Sequence, residues 1–217
     1  MADRRLACTP LRLRVQRVML YLVGAGGVGR EALDVAVAAE IDVAAFLDDA
    51  LADTMVRGLP VRRPQEALAG AGFLVAIASP TARRRLSASL EEVGLSPTTL
   101  THPRAGVAPD VAIGRGCLLM SNCYVSSSVS LSEHVQVHYG ATIGHDSTID
   151  AWASVYPGAH VAGTVHVAAG ATIGSGACVL QGLFVGDDAF VGAGAVVTHD
   201  VPVGAVVVGN PARIVQR

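Results

Sequence analysis

The segment ATIGHDSTIDAWASVYPGAHVAGTVHVAAGATIGSGACVLQGLFV (141–185) decides the fold, because an aliphatic residue recurs in it at every sixth position. Counting by six in both directions extends the series from residue 107 to residue 203 without a break. Its members are Val107, Ile113, Leu119, Val125, Leu131, Val137, Ile143, Ile149, Val155, Val161, Val167, Ile173, Val179, Val185, Val191, Val197 and Val203. A period of six fits neither an amphipathic helix nor a plain alternating strand. It predicts short strands that each turn one aliphatic side chain inward and stack into a three-sided parallel β-helix of about six coils.

Small residues and glycines mark the expected corners of this prism. A small side chain, such as Ala141 or Ala177, usually stands four residues after the aliphatic position, and glycine often follows that position directly. The small residues would let the chain turn, and we expect glycines such as Gly144 and Gly174 to relax the backbone at the corner.

The residues before the repeat alternate between short apolar segments and segments of helical composition. Strands are expected at RVMLYLV (17–23), DVAAFLDD (42–49) and GFLVAIA (72–78), and helices at REALDVAVAAE (30–40) and TARRRLSASLEEVG (81–94). This alternation predicts a small Rossmann-like α/β domain with a parallel sheet. A polar, proline-containing segment at 96–106 separates the two patterns. We therefore divide the chain into a loosely ordered basic extension (1–17), an α/β domain (18–98) and a β-helix domain (99–217).

Composition and charge exclude several function classes. The net charge is −2, so no basic surface for nucleic acid is expected. No apolar run approaches the roughly 18 residues that a membrane span needs. The four cysteines, Cys8, Cys117, Cys123 and Cys178, have no paired or metal-like spacing, which favours reduced thiols in a cytoplasmic protein.

A glycine motif between the first strand and the first helix indicates a nucleotide. Gly24, Gly26 and Gly29 satisfy G-x-G-x-x-G, where glycines allow a close approach of a diphosphate and the helix N-terminus favours anionic oxygens. Two acids end the next strand, where a group contacting ribose or base is expected. The alternative is that the glycines only form a tight turn and the acids cap a loop. The candidate residues for the nucleotide are Gly24, Gly26, Gly27, Asp48 and Asp49. Too few residues remain for a complete two-half dinucleotide fold, which disfavours an NAD enzyme.

Charged and titratable side chains outside the glycine motif are harder to interpret from spacing. His145 and Asp146 should lie at an edge of the prism, where an imidazole beside a carboxylate can act as a general base. A solvated surface position is the alternative, because five other histidines stand in comparable stretches, namely His134, His138, His160, His166 and His199.

A zinc site would require histidines about 18 residues apart on adjacent coils, and no pair has that spacing, so no metal is expected. Arg83, Arg84 and Arg85 could form a solvated helix face or meet a phosphate.

Eight segments in order resemble the NeuD-like sugar acyltransferases, bacterial hexapeptide-repeat enzymes that include nucleotide-amino-sugar N-acetyltransferases. The segments are YLVGAGGVGREALDV, AFLDD, VAIASPTARRRL, THPRAGVAPDVAIGRGC, ATIGHDSTID, VAGTVHVAAGATIGSGACV, VGAGAVVTHDV and VVGNPARIV. They span roughly residues 18–217. The resemblance implies a left-handed β-helix and a homotrimer with active sites between neighbouring helices. It also implies a nucleotide-sugar site in the α/β domain and acetyl-CoA, as co-substrate, along the groove of the β-helix.

The resemblance also implies roles for individual residues. His145 is then the general base and Asp146 its acidic neighbour. Positions that contact acetyl-CoA are Gly163, Ser175, Ala193 and Ser154. At Ser154, and at Val28 in the glycine loop, the family commonly has histidine. His138 stands where the family often has asparagine, on the nucleotide-sugar side.

The expected function is direct transfer of an acetyl group from acetyl-CoA to the amino group of a nucleotide-linked sugar. O-acetylation of a sugar hydroxyl is the alternative within enzymes. A non-catalytic or metal-dependent hexapeptide protein and an NAD-dependent enzyme are alternatives from other classes.

Overall fold

The computed structural model describes residues 19–215, so the predicted basic extension (1–17) lies outside the described residues. The first domain contains, in chain order, β1 (Leu20–Val23), α1 (Gly27–Ala38), β2 (Val43–Leu47), β3 (Met55–Val56), β4 (Leu59–Arg62), a 3-10 turn (Pro64–Glu66), β5 (Gly72–Val75), α2 (Pro80–Glu92) and β6 (Ser96–Pro97). Its sheet has the order β3-β4-β2-β1-β5-β6 and is parallel except for the β3–β4 pair. The Rossmann-like α/β prediction is confirmed. The first helix begins at Gly27, inside the glycine motif, rather than at residue 30.

Both faces of this sheet are covered, which explains the continuous apolar character of its central strands. Leu20 and Leu22 of β1 pack in one cluster with the apolar face of α1. Tyr21 and Val23 point to the opposite face and pack in another cluster that includes Leu90 of α2. Because β1 and β5 are parallel neighbours, their carboxyl ends lie at the same edge of the sheet, next to the N-terminus of α1.

From residue 100 onward the chain winds into a left-handed parallel β-helix with three faces. The first face carries the strands Leu100–Thr101, Leu118–Leu119, Gln136–Val137, Ser154–Val155, Thr172–Ile173, Phe190–Val191 and Val206–Val208, with Arg213–Ile214 added antiparallel at the end. The second face carries Gly106–Val107, Tyr124–Val125, Thr142–Ile143, His160–Val161, Cys178–Val179 and Val196–Val197. The third face carries Ala112–Ile113, Ser130–Leu131, Thr148–Ile149, His166–Val167 and Phe184–Val185.

The six-residue series forms the core of this prism. Each strand pairs with the equivalent strand of the next coil, as Ile143 does with Val161 and Ile149 with Val167. The second residue of nearly every strand is buried, and these side chains share one continuous apolar cluster with the small corner residues. The first residue of each strand points outward and is free to carry a polar group.

The register shifts at the end of the column, where the six-residue spacing no longer holds. The spacing predicts that Val203 faces inward, but its side chain is 67% exposed. Val201 is buried instead and bridges to Val185, and Val207 pairs with Val191. The last coil is therefore shorter than the others. Valines stand at 201, 203 and 207, so an apolar side chain is available for the core in the predicted register and in the observed one.

The corners turn through left-handed backbone at a position other than the predicted glycines. The third residue after most inward positions has positive φ, for example 58° at Asp146 and 66° at Gly176. Gly144 and Gly174 have no such φ. A Cβ on Gly144 would lie 2.5 Å from Gly163 N on the next coil. These glycines therefore permit close stacking of coils, and the prediction that they relax the corner backbone is wrong.

The first domain docks directly on the first face of the β-helix. Leu100, Leu118 and Met120 belong to the same apolar cluster as the buried face of α1. The chain passes from β6 to the first β-helix strand within a few residues. The domain junction therefore has its own apolar core, and the corner between the second and third faces lies on the opposite side of the prism.

Two further predictions concern cysteines and membrane spans. Cys117, Cys123 and Cys178 are free thiols, and burial raises the pKa of Cys117 and of Cys123 to about 11. Cys8 lies outside the described residues. Neither helix of the described segment has the length and apolar character of a membrane-spanning helix.

Candidate active site

His145 and Asp146 occupy the corner between the second and third faces, at the edge that the repeat predicts for them. The left-handed backbone of Asp146 turns its carboxylate back toward the ring, and Nδ1 of His145 lies 2.7 Å from Oδ2 of Asp146. Both side chains are more than half exposed. The carboxylate fixes the ring orientation and favours the tautomer with a proton on Nδ1, which leaves Nε2 as an acceptor directed away from the pair.

Gly163 forms the floor under this imidazole on the next coil. A Cβ at this position would lie 2.6 Å from Nε2 of His145, and Thr164 N donates a 2.7 Å hydrogen bond to the His145 carbonyl. The absence of a side chain at Gly163 therefore sets the position of the ring, and its buried backbone lies beside the free nitrogen.

We expect Gly163→Ala to lower kcat about tenfold or more, because the new methyl group would push the ring away from its present position. Steady-state kinetics would measure the loss, and an unchanged melting temperature would show that the coil tolerates the methyl group. In a His145→Gln background the same substitution should have little further effect. Equal losses in both backgrounds would mean that Gly163 acts through something other than the imidazole.

A cavity of about 340 Å³ opens at the carboxyl ends of β1 and β5. Its lining residues are Gly24, Gly26, Gly27, Val28, Asp48, Ala76, Ile77 and Ala78. Gly26 and Gly27 face open space, and α1 begins there without a side-chain cap. Free backbone N–H groups at a helix N-terminus form a favourable anion site, so the cavity has the chemistry to bind a diphosphate.

The remaining residues of the glycine motif and the following acids have distinct structural roles. Gly24 has a φ of 98°, and a Cβ there would lie 2.7 Å from the Ile77 side chain. Asp48 lines the cavity, but its Oδ2 accepts from Ala25 N at 2.9 Å and its Oδ1 from Ala50 N at 3.0 Å. Asp48 thus holds the glycine loop in place. Asp49 is exposed next to it and is the freer of the two carboxylates.

Ser154 and His138, two residues carried over from the family, are buried at the domain junction. Ser154 lies on the first face, where its Oγ accepts from Nη2 of Arg83 at 3.0 Å. His138 is 4% exposed and contacts Tyr156 edge-on at 4.9 Å. Within the described residues, Nε2 of His138 and Nε of Arg83 have no hydrogen-bond partner. A single chain does not bring Ser154 or His138 together with His145.

The other predicted acetyl-CoA contacts fall on two different edges of the prism. Gly163 lies beside His145, between the second and third faces. Ser175 and Ala193 are exposed on consecutive coils of the corner between the first and second faces. A cavity of about 420 Å³, lined in part by His199, Asp200 and Arg213, lies three coils beyond His145 on the same edge. The six-residue spacing does not predict this cavity, because the register shift near Val201 cannot be recognised in the series of aliphatic residues.

Two of the histidines for which the sequence allows a solvated surface position are buried instead. His134 is 2% exposed, stacks on Trp152 with ring centroids 4.0 Å apart, and lies 3.3 Å from the Ser87 hydroxyl. Burial lowers the pKa of His134 and of His138 to about 4. No cluster of three or more histidine, cysteine or acidic residues among residues 19–215 could hold a metal ion.

These buried imidazoles predict a loss of stability in acid. Because the folded-state pKa values are near 4 and the ordinary value is near 6.5, the unfolded chain binds more protons between these limits. The free energy of unfolding is therefore highest above pH 6.5 and should fall on the order of 1–3 kcal/mol per histidine as the pH drops toward 4. Thermal melts across this range would measure the fall. In His138→Asn the pH dependence should be visibly shallower, and identical profiles for the two proteins would contradict this assignment.

Comparisons with known proteins agree with the architecture over nearly the whole chain. Residues 19–90 match the family described as PglD N-terminal domain. The acetyltransferase domain of PglB from Neisseria gonorrhoeae is 33% identical, with 91% of this chain and 99% of that chain covered and a TM-score of 0.86. That domain has also been solved in complex with acetyl coenzyme A.

Two further solved structures have similar scores. PerB from Caulobacter crescentus, in complex with CoA and GDP-perosamine, is 30% identical over 91% of this chain and 97% of that chain, with a TM-score of 0.86. WeeI from Acinetobacter baumannii is 30% identical over 91% of this chain and 99% of that chain, also with a TM-score of 0.86. No curated protein sequence matches the chain. The shared domain order and this level of identity show that the chain belongs to the NeuD-like family of acyl-CoA-dependent sugar acetyltransferases.

Proposed function

We propose that the protein transfers the acetyl group of acetyl-CoA directly to an amino group on a nucleotide-linked sugar, with His145 as the general base. The observation that carries the proposal is the Asp146–His145 pair, which leaves Nε2 free beside the buried backbone of Gly163. The complexes of similar proteins with acetyl coenzyme A and with GDP-perosamine support the two substrates.

The residues of the corner fit the steps of an acyl transfer to nitrogen. The acceptor nitrogen forms a bond to the thioester carbonyl carbon while Nε2 of His145 takes its proton. The carboxylate of Asp146 stabilises the imidazolium that results. The C–S bond then breaks, CoA leaves as a thiolate, and the imidazolium gives its proton to that thiolate. A backbone N–H near Gly163 is the donor that we assign to the transient oxyanion.

The placement of the two half-sites favours an active site shared between copies of the chain. The nucleotide cavity belongs to the domain that covers the first face, whereas His145 lies at the opposite corner. The proposed acetyl-CoA contacts likewise lie on two edges of the prism. A sugar held by one chain would therefore meet the His145 of a neighbour, as in the predicted homotrimer. Asp49, Ser175 and Ala193 keep their proposed binding roles within this assembly, and the cytoplasmic location stays a prediction. Ser154 is fully buried and accepts from Arg83, so we assign it to the domain junction rather than to acetyl-CoA.

Release of free CoA in the presence of acetyl-CoA and a panel of acceptors tests the function. The panel should pair nucleotide-linked amino sugars with the corresponding hydroxy sugars. We expect CoA release with an amino sugar only. Transfer to a hydroxy sugar alone would establish O-acetylation instead. A thermal-shift comparison would also separate acetyl-CoA from NAD, because a ligand at about 100 times its Kd stabilises the folded state by about 2.7 kcal/mol.

A further inference from the structure

The side chain of Arg83 is a buried cation that connects the wall of the nucleotide cavity to the β-helix. It lies in the first turn of α2 and is only 1% exposed. The sequence predicts a solvated face or a contact with a phosphate, and the structure contradicts the solvated position. Of its neighbours, Arg84 is half-buried and pairs with Asp188 of the β-helix at 3.3 Å, whereas Arg85 is exposed as predicted for a solvated helix face.

Two of its contacts fix the wall of the cavity. Nη1 donates to the carbonyl oxygens of Ile77 at 3.1 Å and Ala78 at 2.9 Å. Both residues line the cavity between β5 and α2. Because these carbonyl oxygens point at the guanidinium, the negative ends of the carbonyl dipoles are turned away from the place where a diphosphate would bind.

The other contacts join this wall to the first face of the β-helix. Nη2 donates to the Trp152 carbonyl oxygen and to Oγ of Ser154, and Nη1 lies 3.4 Å from Oε1 of Gln136. Gln136, itself buried, donates from Nε2 to the carbonyl oxygen of Val75 at 3.0 Å. The guanidinium and this amide thus hold the end of β5 and the following loop at a fixed distance from the β-helix.

The charge of Arg83 has no counter-ion at the junction. Every acceptor that it contacts is a carbonyl, amide or hydroxyl oxygen, and no carboxylate among residues 19–215 pairs with it. Burial lowers its pKa to about 10, so the side chain is still protonated at neutral pH. An uncompensated buried cation is costly to keep, and an anion bound in the adjacent cavity would reduce that cost.

We infer that Arg83 is a positioning residue for the nucleotide diphosphate, which orients the cavity wall and supplies positive charge from behind it. This inference rests on the proposed function for its ligand. Arg83 thus affects substrate affinity from the domain junction, without touching the substrate.

Binding of nucleoside diphosphates to variants of the full chain tests this role. The probes are UDP, GDP and dTDP, with acetyl-CoA as the comparison ligand, measured by calorimetry. For the diphosphate that binds best, we expect Arg83→Met to raise Kd about tenfold or more and Arg83→Lys to raise it less. The Kd of acetyl-CoA should change less than about twofold in both proteins, because its site lies elsewhere. A general loss of structure would weaken both ligands.

Arg84→Met is the matched control, because it removes a neighbouring guanidinium that is partly exposed and ion-paired with Asp188, and it should bind the diphosphate as the wild type does. If Arg83→Met does not fold, Arg83→Lys decides the question. A wild-type diphosphate Kd in a folded Arg83 variant overturns the inference. If the wild-type protein itself binds no diphosphate, the proposed function fails first, and the inference fails with it.

Discussion

Replacing His145 with glutamine should lower kcat by about 100-fold or more, the usual scale for the loss of a general base. Glutamine keeps a polar side chain of similar length, but it cannot take the proton from the amino group of the acceptor sugar at neutral pH. The KM values of both substrates should change little, since the imidazole acts on the reacting nitrogen rather than on the nucleotide or on CoA. Initial rates of CoA release at saturating substrates provide the measurement.

Two variants separate catalysis by His145 from a general effect of histidine replacement. His160→Gln is the matched control, because that ring is exposed on the second face and, among the residues that the structure describes, hydrogen-bonds only to Thr142, at 2.9 Å. It should leave kcat within about twofold of wild type. Asp146→Asn removes the charge that orients the ring and should lose activity in the same direction, by a smaller factor. Near-wild-type turnover in a folded His145→Gln protein would discard the general-base assignment.

Replacing Gly26 with leucine should raise the KM of the nucleotide sugar about 100-fold, the second large effect that we expect. The fold should accept the change, since Gly26 has an ordinary φ of −75° and, apart from its two chain neighbours, none of residues 19–215 lies within 4 Å of the position that a Cβ would take there. The leucine would project into the cavity and occupy the space in front of the α1 N-terminus, where the diphosphate is proposed to bind.

The control for Gly26→Leu lies in the same kinetic experiment. The KM of acetyl-CoA and the melting temperature should match the wild-type values, because neither depends on open space in this cavity. An unchanged KM for the nucleotide sugar would show that the diphosphate binds somewhere else on the chain.

The architecture was predictable because it repeats. An inward aliphatic residue at every sixth position has one geometric solution, and the α/β alternation before it has few. The register shift near Val203 was not predictable, since Val201 and Val207 are equally apolar. The left-handed corner position was missed as well, because Asp146, Trp152 and glycines all occupy it, so no residue type marks it.

The site was predictable only in part, because burial at a domain junction has no local signature. His145 and Asp146 lie at an exposed corner, and adjacency in sequence together with the left-handed turn brings them within hydrogen-bond distance. His134 and His138 occupy the same repeat pattern, yet α2 and the α/β domain cover them. Arg83 follows the same rule, since only docking of the two domains turns a helix arginine into a buried one.

Mixing the two inactive variants tests the central claim most directly, because the claim places the sugar cavity and His145 of one active site on different copies of the chain. His145→Gln and Gly26→Leu chains would be co-expressed in equal amounts and assayed at low acceptor concentration. Random assembly should restore roughly a quarter of the wild-type rate, since about that share of sites would pair an intact cavity with an intact imidazole. Mixed assemblies that stay as inactive as either parent would contradict the shared site and the catalytic arrangement built on it.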